Sequence, residues 1–238
     1  MSIKDKVVLI TGGTKGIGLG IAEAIVKEGG KVVLTGRTKD TAEHVATRLN
    51  SEFPDCAIGV ASDVRRLEDQ QMAVKAAVDK WGKLDVAIAN AGIGHFASIE
   101  DLTPKQWNEI MDINMTGPFY TIKAALTELK RNKGYYITIA SLAGTNFFAN
   151  GSAYNASKFG LVGFTQAVML DLRKYGIKVT TIMPGSVATY FNNHVPSESD
   201  AWKIQPEDLG QMVIDLLKMH PRTLPSKIEV RPSIPGGK

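Results

Sequence analysis

Val7-Val8-Leu9-Ile10-Thr11-Gly12-Gly13-Thr14-Lys15-Gly16-Ile17-Gly18 is the stretch that decides the fold. An unbroken apolar run rich in β-branched residues reads as a strand covered on both faces, as in a parallel sheet. Glycines crowd the residues that follow, and helical spacing of apolar positions then runs over 16–28. Glycine belongs where a strand turns sharply into a helix and the backbone must approach a ligand closely. A helix opening at such a turn aims unpaired N–H groups and its positive dipole end at a phosphate. The Gly12-x-x-x-Gly16-x-Gly18 spacing differs from the commoner Gly-x-Gly-x-x-Gly dinucleotide fingerprint. Such a turn also occurs without a ligand, but a strand before it and a helix after it favour the phosphate reading.

Working outward, the same rhythm repeats. Apolar runs at 7–11, 31–35, 57–61, 84–89, 135–140 and 178–183 alternate with helically spaced segments at 16–28, 38–52, 67–81, 104–130 and 153–175. That alternation predicts right-handed βαβ crossovers in a three-layer, doubly wound parallel sheet, an α/β Rossmann fold. After Pro184 the rhythm changes. A polar stretch containing Asn192, Asn193, His194, Pro196, Ser197, Glu198 and Ser199 reads as a mobile loop. Gln205-Pro206-Glu207-Asp208 opens another helix, with a last strand expected at 227–230 and a Pro/Gly-rich tail after it. No linker or internal repeat divides residues 1–238, so one domain is expected throughout.

Composition narrows the function classes. At 44% hydrophobic and 22% charged residues, the 238-residue chain has ample apolar content to offset chain entropy by burial. No apolar run approaches the roughly 18 residues of a membrane span or the apolar core of a signal peptide, so a cytoplasmic location and no membrane partner are expected. The formal charge of +4 comes from scattered residues, and the densest basic run, Lys130, Arg131 and Lys133, is interrupted by Asn132 and Gly134. A solvated surface explains it better than a nucleic-acid partner does. Cys56 is the only cysteine, which excludes an intrachain disulfide and a thiolate cluster. His95 and His194 stand too isolated to indicate a metal, and none is expected.

The second strand ends Thr35-Gly36-Arg37-Thr38, where dinucleotide folds meet the adenosine ribose. No acid stands at that tip to accept from a free 2′-hydroxyl. Arg37 offers a guanidinium suited to a 2′-phosphate, and Lys15 brings a second positive charge. The plainer reading of each is a solvated surface cation, and Asp40 lies close by. Together with the missing acid they favour NADP over NAD.

Tyr154 and Lys158 are four apart at a helix start and so share one face. A tyrosine's ordinary pKa near 10 is too high for proton exchange at neutral pH. An ammonium about 4 Å away, at an effective dielectric of ~20, favours the phenolate by up to ~4 kcal/mol, or roughly three pKa units. Taken alone, such a pair is more often just two residues of an amphipathic helix. Ser141 lies just past the strand at 135–140, on the sheet edge where ligands bind, although it also suits a turn cap.

The ordered set of Thr11-Gly12-x-x-x-Gly16-x-Gly18, Asp63-Val64, Asn90-Ala91-Gly92, Asn114, Ser141, Tyr154-x-x-x-Lys158 and Pro184-Gly185 resembles the short-chain dehydrogenases/reductases over nearly the whole chain. Within that family it is closest in flavour to 3-oxoacyl-acyl-carrier-protein reductases and related carbonyl reductases. The resemblance implies an NADP(H)-dependent oxidoreductase that reduces a ketone, with a 3-oxoacyl thioester as one candidate. Ser141 and Tyr154 then hold the carbonyl oxygen, Tyr154 gives the proton, and Lys158 orients the nicotinamide ribose while lowering the tyrosine's pKa. Asn114 would hold a proton-relaying water. Gly12, Thr14, Lys15, Gly16, Ile17, Gly18, Arg37, Asp63, Val64, Asn90, Ala91, Gly92, Pro184, Gly185, Val187 and Thr189 would join Tyr154 and Lys158 around the cofactor. Asp63 is assigned to the adenine amino group and Thr189 to the nicotinamide carboxamide.

Residues around 186–205 would form a short substrate loop, with His95, Phe96, Phe147, Phe148, Phe191, His194 and Trp202 as pocket candidates. Helices at 104–130 and 153–175 would pair subunits into a homodimer or homotetramer. Two departures stand out. The loop is short for a lid, and the chain carries Lys227-Ile228-Glu229-Val230-Arg231-Pro232 where the reductases have a Gly-rich ending, which bears on tetramer and acyl-carrier substrate alike. Rival readings are an NAD-linked alcohol or polyol dehydrogenase, an enoyl reductase (disfavoured by the Tyr–Lys spacing) and a non-catalytic NADP-sensing protein.

Overall fold

Neighbouring residues of a strand covered on both faces serve opposite cores, and β1 (Val7–Ile10) does this throughout. Val8 and Ile10 pack with Ile21 and Ile25 of α1 (Gly16–Lys27), Leu49 of α2 (Lys39–Glu52) and Leu209 and Val213 of α7 (Pro206–Lys218). Val7 and Leu9 pack the other way, with Ala73 and Ala77 of α3 (Leu67–Trp81), Ile122 and Leu129 of α5 (Gly117–Asn132) and Leu172 of α6 (Ser152–Leu172). Each fully buried Leu or Ile contributes about 1.5–3 kcal/mol relative to exposure, so the two cores hold the layers together.

The computed structural model describes residues 2–234, and the last four residues of the expected Pro/Gly-rich tail lie outside them. β1 joins β2 (Lys31–Gly36), β3 (Ala57–Ala61), β4 (Val86–Ala89), β5 (Tyr135–Ile139), β6 (Lys178–Pro184) and β7 (Lys227–Val230) in the order β3-β2-β1-β4-β5-β6-β7. All pairings are parallel, with Val8 opposite both Val32 of β2 and Val86 of β4. The chain builds outward in one direction from β1 to β3 and in the other from β4 to β7. The switch point therefore lies between β1 and β4, and open α/β sheets bind ligands beyond the strand ends there. This is the doubly wound, single-domain architecture expected above.

Several boundaries differ for identifiable reasons. The strand expected over 84–89 starts at Val86, because the Asp85 carboxylate takes the Val7 N–H at 2.9 Å and Lys6 at 3.1 Å instead of presenting a ladder side chain. The helix expected over 104–130 is three pieces: α4 (Pro104–Met111), a π-helical turn (Asp112–Thr116) and α5. The helix expected over 153–175 is α6 followed by a 3₁₀ turn at Arg173–Tyr175.

The segment read as a mobile polar loop is organised. Val187 pairs with Ile204, the Ala188 N–H donates to the Ile204 carbonyl at 2.9 Å, and the Ile204 N–H donates to the Ser186 carbonyl at 3.1 Å. Two 3₁₀ turns, Phe191–Asn193 and Glu198–Asp200, fill the space between. No helix among the described residues is long and apolar enough to cross a membrane.

Candidate active site

The site grows from the glycine-rich turn after β1. Gly12 and Gly16 sit at φ +62° and +54°, in the left-handed region that favours glycine. Asn90, at the end of β4, ties the turn down: its Nδ2 donates to the carbonyls of Thr11 at 2.9 Å and Gly12 at 3.0 Å. Thr11 Oγ1 accepts in return from the N–H groups of Asn90 and Ala91 at 3.0 and 3.1 Å. Asn90 thus braces the turn as well as bordering the cleft. Gly18 takes no part in the cleft wall, contrary to expectation. A Cβ there would stand 2.5 Å from Asn90 Nδ2 and from the Gly12 carbonyl, so its smallness lets α1 pack against the turn. Lys15, at the N-cap of α1, makes no side-chain cap, and the first turn holds no acid. The positive end of α1 is left open to an anion.

Two adjoining cavities run along the C-terminal edge of the sheet, of about 310 and 460 Å³. They share Ile17, Asn90, Gly92, Thr189 and Phe191. Ser141, Tyr154, Lys158, Pro184, Gly185 and Val187 border the smaller one. Gly12, Thr14, Lys15, Gly16, Arg37, Asp63, Val64 and Ala91 border the larger. Of the catalytic and cofactor residues assigned from the sequence, Asn114 and Gly18 lie behind the walls, and the rest meet the cleft.

The larger cavity carries a residue the sequence reading passed over. Arg65 lines it and grips Asp63 with two arms, Nε to Oδ1 at 2.9 Å and Nη2 to Oδ2 at 2.5 Å. That grip holds the Asp63 carboxyl below its ordinary range. Asp63 is therefore not the free acceptor expected for an adenine amino group, because the guanidinium two residues on satisfies it first. The sequence signal was the basic residue directly after Asp63-Val64. Glu109, the other carboxylate on this wall, lies 3.0 Å from His95 Nε2, while Asp40 is not on the wall.

Thr35 also borders the cavity. It is 1% exposed, and its Oγ1 has no partner among the described residues. A buried hydroxyl without a partner costs free energy unless a ligand satisfies it. That hydroxyl, the open helix end and the cations Lys15, Arg37 and Arg65 fit a phosphorylated dinucleotide.

In the smaller cavity, Ser141 has both of the roles weighed for it. Its Oγ accepts the Ala143 N–H at 3.1 Å, capping a 3₁₀ turn, and it also hydrogen-bonds with the Tyr154 hydroxyl. Burial pushes the Tyr154 phenol up, and the Ser141 bond works against that. Lys158 is 5% exposed, donates from Nζ to the Ile139 carbonyl at 3.1 Å, and lies 5.6 Å from the centre of the Tyr154 ring. Burial pushes this ammonium down to about 8. The expected strong acidification of Tyr154 is thus corrected. Lys158 is turned to the strand end, and burial moves both groups toward their uncharged forms.

Asn114 is fully committed. Its Oδ1 accepts the Ile93 N–H at 2.9 Å, and its Nδ2 donates to the Ile93 carbonyl at 2.9 Å and to Ser157 Oγ at 3.0 Å. The side chain clamps the loop after β4 to α6 from within the π-helical turn, a distortion often found at functional sites. Ser157, which Asn114 engages, was not singled out from the sequence; its partners lie 43 and 3 residues away.

Of the pocket aromatics, Phe96 stands 5.4 Å from Tyr154, 5.8 Å from Phe148 and 6.3 Å from Phe191, ring centre to ring centre. Phe191 is 5.7 Å from Tyr154. Of these aromatics only Phe191 borders the cavities; Phe96 and Phe148 stand behind the wall, Phe96 against the Tyr154 ring, while Phe147, 86% exposed, and Trp202 border neither cavity.

Comparison with known proteins identifies the family. The short chain dehydrogenase family's sequence profile matches residues 6–200. A trans-4-hydroxycyclohexanecarboxylate dehydrogenase of Sinomonas cyclohexanicum is 38% identical over 192 residues, covering 79% of this chain and 74% of its own. The structure of an alcohol dehydrogenase from the archaeon Thermococcus sibiricus, complexed with 5-hydroxy-NADP, superposes with TM-score 0.91 at 26% identity over 99% of this chain and 100% of that one. A 3-ketoacyl-(acyl-carrier-protein) reductase from Brucella melitensis, complexed with NADH, superposes with TM-score 0.88 at 29% identity over 98% and 99%.

Proposed function

This chain belongs to the short-chain dehydrogenase family, an oxidoreductase family, and from that premise we propose that it is an NADP(H)-dependent reductase converting a ketone on an apolar body to a secondary alcohol. The observation that carries the reading is the meeting of Ser141, Tyr154 and Lys158 on one cavity that adjoins the glycine-turn cavity. When bound, the reduced nicotinamide supplies a hydride to the carbonyl carbon. Ser141 and Tyr154 hold the carbonyl oxygen, and the Tyr154 O–H proton passes to it as the C–O bond becomes single. Lys158 stabilises the phenolate left behind and exchanges protons with it, which suits an amine titrating at about 8. Asn114 keeps the loop after β4 in place against α6.

The NADP preference rests on Arg37, Lys15 and Arg65 around the larger cavity, where both wall carboxylates are already engaged. Gly12, Gly16 and Ile17 would receive the diphosphate on the open end of α1, and Thr189 and Val187 would border the nicotinamide. Phe191 on the cavity wall, backed by Phe96 and, through it, Phe148, favours an apolar substrate body, as does the relative that acts on a ring alcohol. A 3-oxoacyl thioester is a second candidate, with the structural likeness to the ketoacyl reductase in its favour. The NADH in that complex favours an NAD-linked dehydrogenase as the alternative. We further propose that residues 186–205 act as the substrate loop and that the chain works as a homo-oligomer, with exposed Phe119 on α5 and Phe159 and Leu170 on α6 as its contact face.

The test is a panel of alicyclic, aromatic and 3-oxoacyl-thioester ketones assayed with NADPH and with NADH. NADPH-dependent turnover exceeding that with NADH is expected. A thermal shift with NADP without turnover of any ketone would replace this reading with that of a non-catalytic NADP-sensing protein.

A further inference from the structure

We propose that Lys203, seconded by His194, is a carboxylate anchor in the substrate pocket, so that the preferred substrates are oxo acids. The inference deepens the carbonyl-reductase reading and rests on it. Both side chains border the same cavity as Tyr154 and Ser141, and no Asp or Glu stands among the described residues of that wall. The third cation there, Lys158, is committed to the Ile139 carbonyl and to Tyr154.

Lys203 and His194 are fixed in place from behind by one acid. Asp200 is buried and off the wall; its Oδ1 lies 2.6 Å from Lys203 Nζ, and its Oδ2 lies 2.5 Å from His194 Nε2 and accepts the Ser197 N–H at 3.1 Å. One carboxylate thus serves two side chains that can each carry a positive charge. The Lys203 side chain is only 19% exposed, and among the described residues it has no other ion-pair partner. An ammonium has three donors, and a single acceptor leaves the others to water or to a ligand. A substrate carboxylate would complete the donor count. Phe191, on the turn preceding His194, is also part of the aromatic group around Tyr154. A substrate would then bind with its carbonyl oxygen at Tyr154, its apolar body against Phe191 and its carboxylate at Lys203.

The reduction itself is unchanged. The carbonyl carbon gains a hydride, two electrons included, from NADPH, the oxygen gains the Tyr154 proton, and the carboxylate is a spectator that fixes pose.

The test compares 4-oxocyclohexanecarboxylate with its carboxamide, which has nearly the same shape and no charge. In the unsubstituted protein kcat/KM should favour the carboxylate. In Lys203→Met that preference should fall about 10- to 100-fold, through KM, as for loss of a charge-assisted hydrogen bond. Lys203→Arg should keep most of it. An equal loss on both ketones, or no preference at the outset, overturns the anchor. A rise in KM for NADPH that accounts for the loss overturns it too, by giving the anion read to the cofactor. Binding of cyclohexanecarboxylate and cyclohexanecarboxamide, followed by calorimetry, needs no turnover. If neither ketone is reduced, the reductase reading falls, and the anchor is still decided by whether Lys203→Met removes a preference for the acid.

Discussion

Replacing Lys158 by methionine should stabilise the protein while removing its reductase activity. Lys158 is nearly fully buried, and burial lowers its ammonium from an ordinary 10.5 to about 8. That lowering corresponds to roughly 3 kcal/mol of folding free energy spent on keeping the charge out of water at neutral pH. Methionine has a similar length and no charge, so it removes that cost. It also gives up the charge-assisted bond to the Ile139 carbonyl, worth about 1.5–3 kcal/mol. The net gain should be about 1 kcal/mol at pH 7, or about 2–4 °C in Tm for a chain of this size.

The pH dependence identifies the cause. The unfolded chain holds the lysine proton up to about 10.5 while the folded one releases it near 8, so the natural protein gains stability as pH rises across that interval. The advantage of Lys158→Met is therefore full below pH 8 and closes toward pH 10. Urea unfolding of both proteins from pH 7 to 10 measures it; tyrosine ionisation in the unfolded chain is common to both proteins and cancels in the difference. A variant less stable than the natural protein at pH 7, or a gap that stays constant with pH, would refute the reasoning.

Four further outcomes are expected. Tyr154→Phe should lower kcat by about 10²- to 10⁴-fold, followed as NADPH oxidation, while NADP binding persists, because only the proton donor is lost. Arg37→Asp should reduce kcat/KM for NADPH about 10- to 100-fold and leave NADH less affected, since a carboxylate there repels a 2′-phosphate; equal effects on the two cofactors would remove Arg37 from the phosphate site. Gly18→Ala places a methyl 2.5 Å from Asn90 Nδ2 and the Gly12 carbonyl and should cost about 1–3 kcal/mol in urea unfolding, with weaker NADP binding. At Asp85, burial pushes the carboxyl up, but the Val7 N–H, Lys83 and Lys6 outweigh it and leave it below the ordinary range. Its stabilising contribution is present above the ordinary carboxylate pKa and is lost as pH falls through the lowered value. Asp85→Asn should cost about 1–3 kcal/mol at pH 7 and show a flatter decline in stability on acidification.

Much of this molecule was legible in the chain itself. β3, α3 and β7 begin and end where their residues change character, at 57–61, 67–81 and 227–230. Burial on both faces writes a strand as an uninterrupted apolar run, and a helix against that sheet writes a 3.6-residue period. Tyr154 and Lys158 were legible because a helix places residues four apart side by side, and Ser141 because strands end at the ligand edge. The rest depends on partners far apart in sequence. Asn114 holds Ile93 and Ser157, 21 and 43 residues away, and the π-helical turn that carries it breaks what reads as one long helix. The Arg65 grip on Asp63, the solitary Thr35 hydroxyl and the turning of Lys158 to Ile139 are likewise matters of tertiary placement.

Sequence alone determined the order of strands and helices, the phosphate-ready turn and the residue types of the site, because these follow from local backbone preference and from which faces must avoid water. Strand order around the β1/β4 switch, the joining of two cavities through Phe191, and the protonation behaviour of Tyr154 and Lys158 were decided only in three dimensions. Burial and distance set the free energy of a charge, and neither exists until the layers close.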